Sequence, residues 1–170
     1  MPAMTINGYI TDVDTTQKYE LGFEWEESAN SLTSSYRGFG NRLWRYVLND
    51  GAAAVSAGHL CQRKAGTTAG WTITKATNQS VGVVSRFQYP GVAQHEIGAG
   101  KYGFILVKGA GLYVADTGGT TVDLTLIAGN AVDGCFDTQA LATVADFNHL
   151  GYAITAATAT NTGIGYFNFP

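Results

Sequence analysis

Apolar and polar positions follow one another in short runs along this chain, and most runs end at a glycine, asparagine or aspartate. Leu21-Gly22-Phe23-Glu24-Trp25-Glu26 sets apolar against acidic side chains at a period of two, which is the period of a strand with one covered face. Leu43-Trp44-Arg45-Tyr46-Val47-Leu48 is rich in β-forming residues and stops at Asn49-Asp50-Gly51, a strong turn signal. The same reading predicts short strands over 58–63, 71–74, 81–84, 104–107, 112–115, 122–127, 131–136, 152–154 and 165–169. Lys108-Gly109 is expected to end the strand before it, and Asp116-Thr117-Gly118-Gly119 to form a hairpin turn. Helical signal is confined to one short stretch, Asp137 to Ala145.

Three stretches share a phrasing, an Ala-Gly step beside a short apolar or alternating run: Ala57-Gly58, Ala99-Gly100 and Ala128-Gly129. Glycine accepts positive φ, so each is expected to mark a corner where the chain enters a strand. Many short strands at roughly 8–12-residue spacing point to an all-β fold. We expect a single small β-barrel or β-sandwich of short antiparallel strands over 21–170. The polar, irregular residues 1–20 are expected to form an extended N-terminal arm contributing little to the core.

A chain of 170 residues is long enough for one domain with an ordinary core. Its charged share of 14 % is low against the usual figure of about 25 %, and its 22 glycines are many. A sparsely charged surface repels neighbours poorly and suits a protein that works inside an assembly, with its end segments docked on a partner or a neighbouring subunit. The net charge of −3 argues against nucleic acid as the main partner. No apolar run reaches the roughly 18 residues that suggest a membrane span, and the first residues do not read as an export signal. Cys61 and Cys135 are therefore expected to be free, buried thiols made in a reducing cytoplasm.

Each candidate for chemistry has a plainer structural reading. Arg37-Gly38-Phe39-Gly40 matches the start of an RNA-recognition strand motif, but Asn41 and Arg42 follow where an aromatic and a valine belong. With Tyr36, Arg42, Arg45 and Trp44 it forms a basic-aromatic cluster, better suited to packing or to a protein partner's carboxylates. Asp116-Thr117-Gly118 resembles the strand-end motif of retroviral-type aspartic proteases without their continuation. Glu24 and Glu26 share a strand face, as do His59 and Cys61, but the first pair lacks a cleft signal and the second lacks closely spaced metal-ligand pairs. We expect no catalytic residue, no metal and no cofactor.

The middle of the chain carries a resemblance. Ser80-Val81-Gly82-Val83-Val84, Gly91-Val92-Ala93-Gln94 and the run from Ile97 through Tyr102-Gly103-Phe104-Ile105-Leu106-Val107 to Lys108-Gly109 look like the decoration, or cement, proteins of tailed-bacteriophage heads. The resemblance covers roughly 45–135. It implies a non-enzymatic virion protein, synthesised in the host cytoplasm and placed on the capsid exterior. Such a protein stabilises the lattice by bridging major capsid protein subunits, often as a homo-oligomer, with a trimer favoured. The aromatic and arginine side chains Trp25, Tyr36, Arg37, Phe39, Arg42, Trp44, Tyr166, Phe167 and Phe169 are the expected interface anchors. The alternative is a host-surface or glycan-binding module on a virion fibre or tail, marked by a shallow aromatic groove with polar neighbours.

Overall fold

A computed structural model describes residues 10–31, 36, 38–64, 71–77, 88–139 and 149–170. Among them are ten strands: β1 (Glu24–Glu27), β2 (Arg42–Asn49), β3 (Leu60–Arg63), β4 (Thr72–Lys75), β5 (Gly91–Ala93), β6 (Lys101–Val114), β7 (Thr125–Ala128), β8 (Phe136–Gln139), β9 (Gly151–Ala153) and β10 (Thr162–Asn168). The all-β expectation holds. The strands form one sheet, ordered β1-β2-β4-β3-β5-β6-β10-β9-β7-β8, with a further β2–β6 pairing.

The pairing pattern closes this sheet on itself twice. β2 pairs in parallel with β4, and antiparallel pairings then run β4–β3, β3–β5, β5–β6 and β6–β2, which completes a five-stranded ring. The far half of β6 begins a second ring through β10, β9, β7 and β8. That ring is closed by a parallel bridge from Ala115 to Phe136. Closure leaves few unpaired strand edges, which is how small barrels avoid edge-to-edge association.

The two barrels are copies of one plan sharing β6. The bridge Val55–Ile97 in the first matches Thr120–Ala157 in the second. Gly58 donates to Ala93 O at 2.7 Å, and Asp123 donates to Ala153 O at 2.9 Å. Both donors have positive φ, 80° and 63°, and Gly100 and Thr160 match in the same way at 70° and 58°. Asp123 and Thr160 explain why the repeat is hard to read in the sequence. The glycine that marks each corner in the first barrel is replaced by another residue in the second.

The interiors exchange volume position by position. The first barrel encloses Val47, Val55, Cys61, Ile73, Ala93, Ile97 and Ile105. The second has Tyr113, Thr120, Leu126, Phe136, Ala153, Ala157 and Gly165 at the corresponding places. Tyr113, Phe136 and Leu126 are larger than their counterparts, and Ala157 and Gly165 are smaller. A Cβ on Gly165 would lie 2.6 Å from Leu126 Cδ1, and one on Gly163 would lie 2.5 Å from the Tyr113 ring. The Tyr113 hydroxyl is held by Thr120 Oγ1 and by Thr155 O, so this large polar ring is buried with its oxygen satisfied.

Five expectations are corrected. The single barrel expected over 21–170 is two that share β6, because long-range pairing closes the sheet twice. The strand expected over 131–136 is a turn up to Cys135, and β8 begins only at Phe136. Lys108-Gly109 does not end a strand. β6 runs on for 14 residues, with a register shift opposite Leu43–Trp44 and φ of 108° at Gly109, so the chain bends from one barrel into the next without leaving the sheet. Asp137, Thr138 and Gln139 belong to β8 rather than to a helix, because their backbones pair with β7. The rest of that helical stretch, the predicted strand 81–84 and residues 1–9 lie outside the described residues. Gly129 is not a positive-φ corner. It is required because a Cβ there would lie 2.6 Å from Asp116 Oδ2.

Residues 10–20 lie against the first barrel more closely than their polarity suggests. Asp14 is buried, pairs its backbone with Tyr102 and accepts a 2.9 Å hydrogen bond from the Tyr46 hydroxyl. Tyr19 sits between Phe23, Tyr46 and Phe104, with ring centroids 5.1–5.6 Å apart. Arg45 fastens the other end of the chain. It donates to Glu24 Oε1 at 2.6 and 3.0 Å and to the carbonyls of Pro90 and Pro170, with its guanidinium 3.9 Å from the Trp71 ring centre.

Candidate functional site

The chemistry-bearing motifs resolve into structural roles. Asp116 is buried, and its carboxylate accepts from the backbone N–H groups of Thr117 (2.7 Å) and Ala131 (2.9 Å), so it pins two loops together. Glu24 is bonded to Arg45, and Glu26 accepts from Asn41 Nδ2 at 2.6 Å. Phe39 and Gly40 lie in a turn, with φ of 82° at Gly40, so this stretch cannot serve as an RNA-recognition strand. Cys61 and Cys135 are free and buried, and burial pushes the Cys61 thiol up to about 12. Among the described residues, no cluster of three or more His, Cys, Asp or Glu side chains is placed to hold a metal ion.

Two histidines keep ring nitrogens out of water. The His95 ring nitrogens and His59 Nδ1 are buried with no hydrogen-bond partner among the described residues. Burial lowers both pKa values. Lys75 pushes His59 down further, and Asp12 partly restores His95. An unfolded histidine titrates near 6.5, so the unfolded chain takes up protons first as the pH falls. Their contribution to stability is present above about pH 6.5 and is lost as the pH falls through the lower, folded values. We expect the urea midpoint to drop between about pH 7.5 and 5, and His95→Gln to flatten that dependence. An unchanged slope would remove His95 from this account.

The surface that gathers the expected anchors centres on Arg42. Its guanidinium lies 4.1 Å from the Tyr36 ring centre and 5.7 Å from that of Trp44. Its Nε donates to Ala110 O at 2.7 Å, and Nη1 lies 3.8 Å from Glu27 Oε2. Arg42 is thereby fixed as a ridge between two hollows. One, of about 560 Å³, is lined by Glu26, Phe39, Asn41, Lys108 and Tyr166. The other, of about 230 Å³, is lined by Ile10, Tyr36, Trp44, Gln94 and Leu112. Burial lowers the pKa of Arg42, and Glu27 and Tyr36 offset this in part.

The remaining anchors divide. Trp25 is half-buried on β1, opposite Trp44 in register. Trp44 is buried and donates its indole N–H to Glu27 Oε2 at 3.0 Å. Phe167 and Phe169 are core residues, stacked on each other at 5.7 Å, because alternation along β10 turns Phe167 inward. They present no ring to a partner. Arg37 lies outside the described residues. Sequence reasoning did not single out Tyr152, which is 41 % exposed and stacks on Tyr166 at 5.5 Å, nor Lys108 and Gln94. A tyrosine on each of two expected strands is the available signal for the first, whereas the Lys108-Gly109 pair has the local pattern of a strand end.

Fold and surface together define an all-β double barrel with an arginine-centred aromatic face spanning both halves. The chain matches no family model and no curated protein. Among solved structures it is similar to the N base of head fiber gp8.5 in bacteriophage phi29, with a TM-score of 0.49, 15 % identity, and coverage of 74 % of this chain and 94 % of that one.

Proposed function

We propose that this chain is a non-enzymatic virion structural protein that docks on the outer capsid lattice and bridges major capsid protein subunits. The sequence resemblance of its middle section supplies the setting. The observation that carries the docking reading is the convergence of Tyr166, on β10, with Tyr36, Phe39 and Arg42, from one short stretch before and at the start of β2, around two adjoining hollows. Tyrosine, tryptophan and arginine in hollows are the usual anchors of protein interfaces. Arg42 is held before any partner arrives, so little side-chain freedom is lost on docking. Bridging would stabilise the shell by mass action, by about 2.7 kcal/mol per site when free protein stands at a hundred times its dissociation constant.

The test mixes the protein with undecorated heads of the phage that encodes it and records occupancy and the temperature of rupture. Wild type is expected to saturate the heads and raise that temperature. Phe39→Ser combined with Tyr36→Ser is expected to weaken binding by about tenfold or more, the scale of losing one aromatic anchor. If wild type binds no heads, the capsid reading is wrong and the fibre or tail glycan-binding reading takes its place.

A further inference from the structure

The internal repeat reveals a face that is covered in one barrel and open in the other. On the outside of the first barrel, Tyr46, Val92, Phe104 and Leu106 are 0–2 % exposed. Tyr19 and Phe23 lie on Tyr46 and Phe104, and the start of the second barrel closes over Leu106 at Gly111. The covering segment is acidic. Its Glu24 bonds Arg45, and its Glu27 approaches Arg42.

The corresponding positions of the second barrel are Leu112, Tyr152, Ile164 and Tyr166. Leu112, Ile164 and Tyr166 are half-buried, and Tyr152 is 41 % exposed. The counterpart of Arg42 is Lys108, which is exposed and makes no ion pair among the described residues.

The backbone edge beside this face is already closed. In the first barrel, Tyr46 N–H donates to Phe23 O at 2.9 Å and Tyr46 O accepts from Gly22 N–H at 2.8 Å. In the second, the Gln94 side chain replaces that strand. Its Oε1 accepts from Leu112 N–H at 2.7 Å, and its Nε2 donates to Leu112 O at 3.0 Å. An occupant would therefore lie across the side chains of the face rather than add a strand at Leu112.

We infer that the Leu112–Tyr152–Ile164–Tyr166 face is a docking surface for an extended, acidic, aromatic-bearing segment of another polypeptide chain, with Lys108 meeting one of its carboxylates. The first barrel supplies both parts of the argument. It shows what covers this surface when it is covered, and of the two arginines that accompany the cover, Arg42 has a basic counterpart at the open copy, Lys108, while Gly111 stands at the place of Arg45. The inference rests on the repeat and does not depend on the capsid reading.

A fluorescently labelled peptide with the sequence of residues 19–27, Tyr-Glu-Leu-Gly-Phe-Glu-Trp-Glu-Glu, is the probe, and the full chain is the target. Saturable binding is expected by fluorescence anisotropy, weakened about tenfold or more by Tyr152→Ser with Tyr166→Ser and reduced by Lys108→Glu. The same peptide with its aromatics changed to serine is expected not to bind. If the double variant loses its cooperative unfolding transition, Lys108→Glu and Tyr152→Ser alone carry the test. No saturation up to about 1 mM peptide would overturn the proposal. So would binding that these substitutions leave unchanged, since the peptide would then be displacing the chain's own segment. Dimerisation abolished by the same substitutions without peptide binding would give the face to a second copy, and oligosaccharide binding without peptide binding would give it to a glycan. Either result also overturns it.

Discussion

Gly165→Ile is expected to destabilise the protein sharply, and Tyr113→Val in the same chain to restore part of the loss. Gly165 occupies in the second barrel the place of Ile105 in the first, and Tyr113 the place of Val47. Even a methyl at Gly165 would fall 2.6 Å from Leu126 Cδ1 and 3.2 Å from the Tyr113 ring. Inserting an isoleucine into that space is overpacking, which costs about 1–3 kcal/mol and in tight sites more. For a chain of this length the thermal midpoint should fall by roughly 5–10 °C. Valine at position 113 removes the ring the new side chain would strike. It also frees the Thr155 carbonyl from its hydroxyl partner, so recovery is incomplete. A double-mutant cycle should give a favourable coupling of about 0.5–3 kcal/mol. Additive losses would mean that the two positions do not share volume and that the paired reading of the barrels is wrong at this layer.

The second large effect concerns the start of the chain. Deleting residues 1–20 is expected to destabilise the protein by about 2–5 kcal/mol, the sum of one half-buried aromatic, Tyr19, and one hydrogen bond to a charged group. Tyr19 would leave the cluster it forms with Phe23, Tyr46 and Phe104. The buried Tyr46 hydroxyl would lose Asp14, to which it donates. Urea unfolding of the truncated chain, beside Tyr19→Ser and Asp14→Asn, apportions the loss. A truncated chain with the wild-type midpoint would return this segment to the role its polarity suggests, an arm that contributes nothing to the barrel. If the truncated chain is also poor at binding heads, the defect must be corrected for its lower stability before any grip is assigned to the segment.

How much of this was legible in the chain depends on the range of the forces involved. Period-two alternation and turn chemistry act within a few residues, so β2, β3, β4 and the corner glycines Gly58 and Gly100 could be placed from the sequence, and with them the all-β class. The aromatic and arginine residues near Arg42 could be named as a group because they crowd a short stretch. Alternation could not say that Lys108-Gly109 bends a strand instead of ending it. That depends on Asn41 O and Arg42 Cγ, distant in sequence, which a Cβ on Gly109 would meet at 3.0 Å, and on the positive φ of Gly109. Nor could it divide the anchors. Trp44, Phe167 and Phe169 are core side chains, while Tyr152 is exposed, because in each case the face they occupy is set by the pairing register of another strand.

The repeat itself belongs to the tertiary structure. Composition and local pattern determined that the chain would be a sheet protein with little charge and many tight corners. Which strands close into rings, and that they do so twice on one plan, was decided by long-range pairing. Two sequences can meet the same packing requirement with different residues at most positions, as Val47 with Ile105 and Tyr113 with Gly165 do. The summed volume inside a barrel is what packing constrains, and the identity at any one position is not.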